Sequence, residues 1–231
     1  MKIYRYLLMG LCAVVIIGIY FFLTSHQAGE AEPQQRELFT GFYVYSMPVP
    51  EYVEFCGKKI SLDRYDMFER YDREINGFAY LHSTTMLLVK RANRYFPVIE
   101  PILKNNNIPD DFKYLAVIES NLNPRALSTA KAAGIWQFMS DTGKRYGLEI
   151  NDQVDERYHL EKATEAACKY LNEAYRRYRD WTTVAASYNA GMGRISTEMS
   201  SQLVDNSFDL LLVEETSRYV FRILAAIIRK T

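Results

Sequence analysis

The chain has 231 residues, with 28 basic and 28 acidic side chains, 48% hydrophobic and 14% aromatic residues. That size fits one domain with an appendage, and the apolar share is enough for a real core, which excludes wholesale disorder. A net charge of zero without a dense Lys/Arg run argues against nucleic acid as a partner, and three cysteines and three histidines in no CxxC or HxxxH spacing suggest no metal site.

In chain order, Lys2 and Arg5 precede Leu7 to Leu23, a stretch with no charged residue. Such a run is long enough to cross the hydrocarbon core as a helix, and Thr24-Ser25-His26-Gln27-Ala28 is a poor cleavage site. Residues 1–30 therefore read as a signal anchor and tether, with a cleaved signal peptide as the alternative. The basic residues keep the short N-terminus cytoplasmic and place the rest on the periplasmic face of the cell envelope. Leu11, where a lipobox wants a small residue, argues against acylation of Cys12.

Residues 31–94 read as an irregular and helical lead-in. Pro48 and Pro50 forbid a regular helix, so residues 39–60 are expected to be extended or to wrap the surface. Helical spacing then appears at Leu62, Tyr65, Phe68, Tyr71, Ile75 and Phe78. A longer helix is expected from Ser83, with Met86, Leu87, Val89, Ala92, Tyr95, Phe96, Ile99 and Leu103 on one side, kinked or restarted at Pro97 and Pro101. Asn105-Asn106-Asn107, Pro109 and Asp110-Asp111 mark a stop and a new start, and a short helix runs to Ser120. Amphipathic helices follow over Glu161–Arg179, Trp181–Tyr188 and Thr216–Arg229. Strand alternation is scarce, so the fold class is all-α. Gly191-Met192-Gly193 lacks a preceding strand and reads as a helix end, not a nucleotide loop. An oxidising compartment permits a Cys56–Cys168 disulfide, but Cys168 in its Ala-rich helix reads better as a small buried residue.

Glu119 is the first candidate for chemistry. It closes the largely apolar helix Phe112-Lys113-Tyr114-Leu115-Ala116-Val117-Ile118. Apolar neighbours and the negative end of a helix both disfavour a carboxylate, and a carboxyl that stays protonated near neutrality suits a general acid. Asp110 and Asp111 lie roughly 12 Å away at 1.5 Å per residue, so no adjacent residue supplies a second catalytic carboxylate. Whether Glu215 approaches in the fold is not decided by spacing.

Four motifs occur in order: Glu119-Ser120-x-x-Asn123-Pro124, Gly134-Ile135-Trp136-Gln137-Phe138-Met139 with Ser128 ahead of it, Tyr188-Asn189-Ala190-Gly191, and Glu215-Thr216-x-x-Tyr219-Val220. From about Tyr95 to Ile228 this resembles the lytic transglycosylase family with a goose-lysozyme-like catalytic domain, in its membrane-bound D-type branch. The departures are small: Ser187 stands directly before the tyrosine, and Trp136 replaces the Leu-Met pair of some branches.

The resemblance implies a lysozyme-like helical domain over 95–231 with Glu119 as the single acid/base and Ser120 as its small companion. It also implies that Ser128 and Gln137 line the sugar groove, Tyr188 and Asn189 lie near the scissile bond, and Glu215 is a groove carboxylate. Tyr219 follows Glu215 at i+4 and shares its helix face. The implied substrate is the peptidoglycan glycan strand, cleaved between N-acetylmuramic acid (MurNAc) and N-acetylglucosamine (GlcNAc) to a 1,6-anhydro end, with no metal or cofactor. A cell-wall synthesis or division complex is a further conceivable partner. A goose-type hydrolase and a non-catalytic wall-binding protein are the alternatives. The chain is expected to work without LysM repeats, drawing affinity from its groove and from membrane tethering through residues 7–23.

Overall fold

The computed structural model describes residues 47–79 and 82–227. The expected anchor, tether and Cys12 lie outside these residues. Among the described residues no helix is long and apolar enough to cross a membrane.

The described chain opens with a feature absent from the all-α expectation, a short antiparallel hairpin of β1 (Tyr52–Phe55) and β2 (Lys58–Ser61). Its two-residue turn, Cys56-Gly57, has φ of 52° and 79°, the left-handed pair that matches strand twist. The sequence signal is faint because the strands are only four residues long and Cys-Gly is a weak version of Asn-Gly. Phe55 and Ile60 are buried, and the Phe55 ring lies 5.5 Å from that of Phe112. The Cys56 N–H donates to Asp111 Oδ2 at 2.6 Å, and Lys58 pairs with Asp180 at 2.9 Å. The hairpin is thus pinned to the starts of two later helices. Cys56 and Cys168 are both free thiols.

Eight α-helices follow. They are α1 (Tyr65–Ala79), α2 (His82–Asn105), α3 (Lys113–Ser120) after a 3-10 turn, α4 (Ser140–Arg145), α5 (Leu160–Tyr178), α6 (Trp181–Ala190), α7 (Met192–Gln202) and α8 (Glu214–Ala226). Helix α5 uses small residues, with Ala163, Ala166, Ala167, Cys168, Leu171 and Ala174 buried, so that α2 and α6 approach closely. Asp180 caps α6 by accepting from the Thr183 N–H at 2.9 Å, and residues 182–187 of α6 are all buried. Gly191 ends α6 at φ 85° and α7 begins at the next residue, so the Gly-Met-Gly stretch is a helix junction.

Two helix faces differ from the sequence reading. In α1 the buried side chains are Met67, Tyr71, Glu74 and Ile75, whereas Tyr65 and Phe68 are exposed. A buried acid at position 74 turned the apparent stripe by part of a turn, because Glu74 is neutralised in place by Arg218, 2.7 Å away, and by Arg73. Among the described side chains of α2 only Ile99 and Leu103 are fully buried, while Met86, Leu87 and Val89 stay exposed. The helix runs unbroken through Pro97 and Pro101. The prolines are four apart and both exposed, so the missing N–H groups fall on the solvent side.

Candidate active site

Helix α3 delivers Glu119 in its last turn and is stopped by two consecutive left-handed residues, Asn121 (φ 50°) and Leu122 (φ 55°). The Asn121 N–H donates to Val117 O at 2.9 Å and the Leu122 N–H to Ala116 O at 3.2 Å, with Leu122 fully buried. Wrapping the last carbonyls in this way fixes the helix end to the core. Ser120 then ties that end to the next segment. Its Oγ lies 2.9 Å from Ile135 O and accepts from the Asn123 N–H at 3.2 Å.

The loop over 123–139 is rigid by construction. Isolated bridges join Leu127 to Ala133 and Ala133 to Phe138. Trp136 is fully buried and its indole N–H donates to Thr164 Oγ1 of α5 at 2.9 Å. Arg157 reaches in from behind, donating to Lys131 O at 2.9 Å and Phe138 O at 3.1 Å while Asp155 holds its other nitrogens. Gly134 sits at φ 77°, where a Cβ would stand 1.8 Å from Arg157 O. Only glycine fits. Gln137, at φ 50°, donates from its side-chain amide to Gly134 O at 2.8 Å. Ser128 accepts from the Ala132 N–H at 2.9 Å, closing a local turn.

Helices α6 and α8 complete the cluster. The Tyr219 hydroxyl donates to Glu119 Oε1 at 2.5 Å, from a side chain almost wholly buried. The Tyr188 hydroxyl donates to Trp136 O at 2.9 Å, and its ring meets Tyr170 and Phe138 edge-on. Asn189 accepts from Thr216 Oγ1 at 2.8 Å, and its amide lies 3.5 Å from Glu215 Oε1. Glu119, Tyr188, Asn189, Glu215 and Tyr219 therefore meet between α3, α6 and α8. Ser120 and Gln137 brace this cluster through backbone contacts, whereas Ser128 is engaged in its own turn.

The electrostatics single out one group. Burial pushes the Glu119 carboxyl up to about 7, with the Glu215 charge adding to it. The Tyr219 hydrogen bond and the Arg222 charge pull the other way and hold it there. Burial and the Glu119 charge raise both Tyr188 and Tyr219, so these hydroxyls stay protonated as donors. Near neutral pH Glu119 is thus poised to give and to take a proton. Among the described residues no group of three or more His, Cys, Asp or Glu side chains could hold a metal ion.

Two contributors, Arg222 and Arg157, escaped the sequence reading. Arg222 continues the Glu215–Tyr219 stripe at i+7, a signal that was present in the spacing. Arg157, which braces the loop from 19 residues away in the chain, offered no local signal, whereas Thr216, which orients Asn189, already stands in the Glu215-Thr216-x-x-Tyr219 motif.

Residues 96–206 match the transglycosylase SLT domain family. The membrane-bound lytic murein transglycosylase D of two Escherichia coli strains is 33% identical over 162 residues, covering 68% of this chain and 35% of the relative. The chain thus spans about a third of the length of these relatives. The 70 kDa soluble lytic transglycosylase of Escherichia coli superposes with a TM-score of 0.51 at 22% identity, over 57% of this chain and 23% of that one, a likeness of fold.

Proposed function

We propose, from the match of residues 96–206 to the transglycosylase SLT domain family, that the protein is a peptidoglycan lytic transglycosylase with Glu119 as its single acid/base. The observation that carries the reading is the Glu119 environment. A carboxyl near 7 takes a hydrogen bond from Tyr219, while the nearby Glu215 carboxylate is turned to the Asn189 amide, 3.5 Å away. Glycosidases that use water or an enzymic nucleophile need a second catalytic carboxylate. A nucleophile supplied by the sugar itself removes that need. In the proposed reaction Glu119 protonates the oxygen leaving C1 of N-acetylmuramic acid. As a carboxylate it then accepts the proton of that sugar's C6 hydroxyl, which attacks C1 and closes a 1,6-anhydro ring. The hydroxyl is already attached, so its effective concentration is high.

Each neighbour has a part in this proposal. Tyr219 orients the Glu119 carboxyl and stabilises it once it has given up its proton. Tyr188 and Gln137 hold the loop that forms one wall of the groove, with Ser120 fixing that loop to α3. Asn189 and Glu215 face the sugar across from it, and Ser128 shapes the groove margin. The anchor over residues 7–23 would place this domain at the periplasmic face of a membrane.

Replacing Glu119 by Gln removes the titrating proton at constant shape. Turnover of isolated sacculi should fall about 100- to 10,000-fold, the range that a positioned proton donor contributes, with glycan binding retained. Mass spectrometry of wild-type products should give ends one water lighter than hydrolytic ones. Reducing ends would make the protein a goose-type hydrolase, and undiminished turnover in Glu119→Gln would remove Glu119 from the reaction.

A further inference from the structure

We propose that Arg222, in the depression at the start of α8, recognises a carboxylate on the lactyl branch of the muramyl sugar, either bare or extended by a peptide. The proposal rests on the reading of the substrate given above. A depression of about 450 Å³ is lined by Glu214, Glu215, Arg218 and Arg222. Most of these charges already have partners. Arg218 is fixed by Glu74 at 2.7 Å, Glu214 lies 3.6 Å from Arg73, and Glu215 lies 3.5 Å from the Asn189 amide. Arg222 is different. It is half-buried, close enough to Glu119 and Tyr219 to feel their charges, yet it makes no hydrogen bond or ion pair with any described residue.

A guanidinium offers five N–H donors in a planar fork that matches a carboxylate. Leaving such a group half-desolvated and unmatched is unfavourable unless a ligand completes it. Direct pairing with Glu119 would satisfy Arg222 but would lock the catalytic acid in its ionised form. Arg222 stands off from Glu119 and faces the depression instead. The anionic groups of a peptidoglycan strand sit on the lactyl branch at C3 of each muramyl sugar. On bare glycan the lactyl carboxyl itself is free, while on peptide-bearing strands that carboxyl is amidated and the peptide supplies the carboxylates. Either group, in the sugar next to the scissile bond, gives Arg222 its counter-ion. Neutral N-acetylglucosamine polymers offer none, so the same contact distinguishes muramyl strands from chitin-like ones.

The test measures binding in a Glu119→Gln background, where cleavage and the titration of Glu119 do not interfere. Peptide-bearing glycan, amidase-stripped glycan and a neutral chitin oligosaccharide are compared with and without Arg222→Gln. Loss of a charge-assisted pair should raise Kd about 10-fold or more on the strands whose carboxylate Arg222 holds. Affinity for the chitin oligosaccharide should be unchanged, which also reports that the variant is folded. Arg222→Lys should recover part of the loss. A loss confined to stripped glycan identifies the lactyl carboxylate, and one confined to intact strands identifies the peptide. Equal Kd on both muramyl substrates, or an equal loss on all three ligands, overturns the proposal. A wild-type chain that neither binds nor cleaves peptidoglycan would instead overturn the function on which it rests.

Discussion

The Tyr219–Glu119 hydrogen bond makes the pH dependence of the site predictable in sign. Cleavage begins with a protonated Glu119, so activity should fall as pH rises through about 7. The Tyr219 hydroxyl favours the charged carboxylate and keeps this value down. In Tyr219→Phe the carboxyl moves further up and the alkaline limb shifts to higher pH. The maximal rate should drop about 10-fold or more, since a hydrogen bond to a charged group contributes roughly 1.5–3 kcal/mol. Glu215→Gln acts oppositely. Removing its negative charge lowers the Glu119 carboxyl and moves the limb to lower pH. Opposite displacements in two pH–rate profiles would follow only if both residues act through Glu119. Shifts of the same sign would refute that coupling. Glu119 was legible in the sequence because an isolated acid in an apolar helix is a local pattern. Arg222 shares the same helical spacing, but a charged residue on a helix face is ordinarily solvated, so the pattern alone does not mark it.

At the level of elements, the loop between α3 and α4 illustrates what sequence patterns convey poorly. Ile135, Trp136 and Phe138 are buried, yet they follow neither a helical nor a strand period. The order comes instead from bridges, from Arg157 behind the loop and from Gly134, whose missing Cβ admits the Arg157 carbonyl. Gly134→Ala should therefore be among the most damaging small substitutions. It strains a positive φ and drives a methyl into backbone, which together should cost at least about 3 kcal/mol of stability. Thermal melting would measure that loss. The same change should reduce turnover of sacculi below the level explained by the unfolded fraction, since Gln137 and the Tyr188 contact at Trp136 both depend on this loop. A variant as stable and as active as wild type would show that the loop is adaptable. The small-residue face of α5 is legible from its period, while the exposed Met86, Leu87 and Val89 of α2 depart from theirs. The hairpin and the face of α1 are not legible in this way, because one is held by long-range contacts and the other buries a charge that pairs with a residue 144 positions away.

Across the whole molecule, the site depends on parts that lie outside the matched family segment of 96–206. Tyr219 is on α8, and α1 is the element packed most extensively against α8. Arg70 donates to Ser217 O at 2.9 Å and to its hydroxyl at 2.6 Å, and its guanidinium lies 4.4 Å from the Phe221 ring centroid. Four residues further along α1, the buried Glu74 takes two bonds from Arg218, at 2.7 and 3.2 Å. Only the carboxylate of this pair is buried, and leaving Glu74 without the Arg218 bonds costs about 1–3 kcal/mol, a sizeable share of the stability of a domain this size. A shortened chain starting at Phe96 would lose both clamps and expose Phe221, Val220 and Ile223, which are buried. It should melt well below a chain starting at Met47, or fail to fold, and its turnover should be lost even though Glu119 and the loop over 123–139 are intact in sequence. The chain starting at Met47, which carries every described contact of the compact unit, should fold and cleave soluble glycan fragments at the rate of the full chain. Circular dichroism melting with a product assay on the two chains would decide the matter. Equal activity would mean that α8 finds its place against Glu119 without α1, and the lead-in would then have to be assigned some other role.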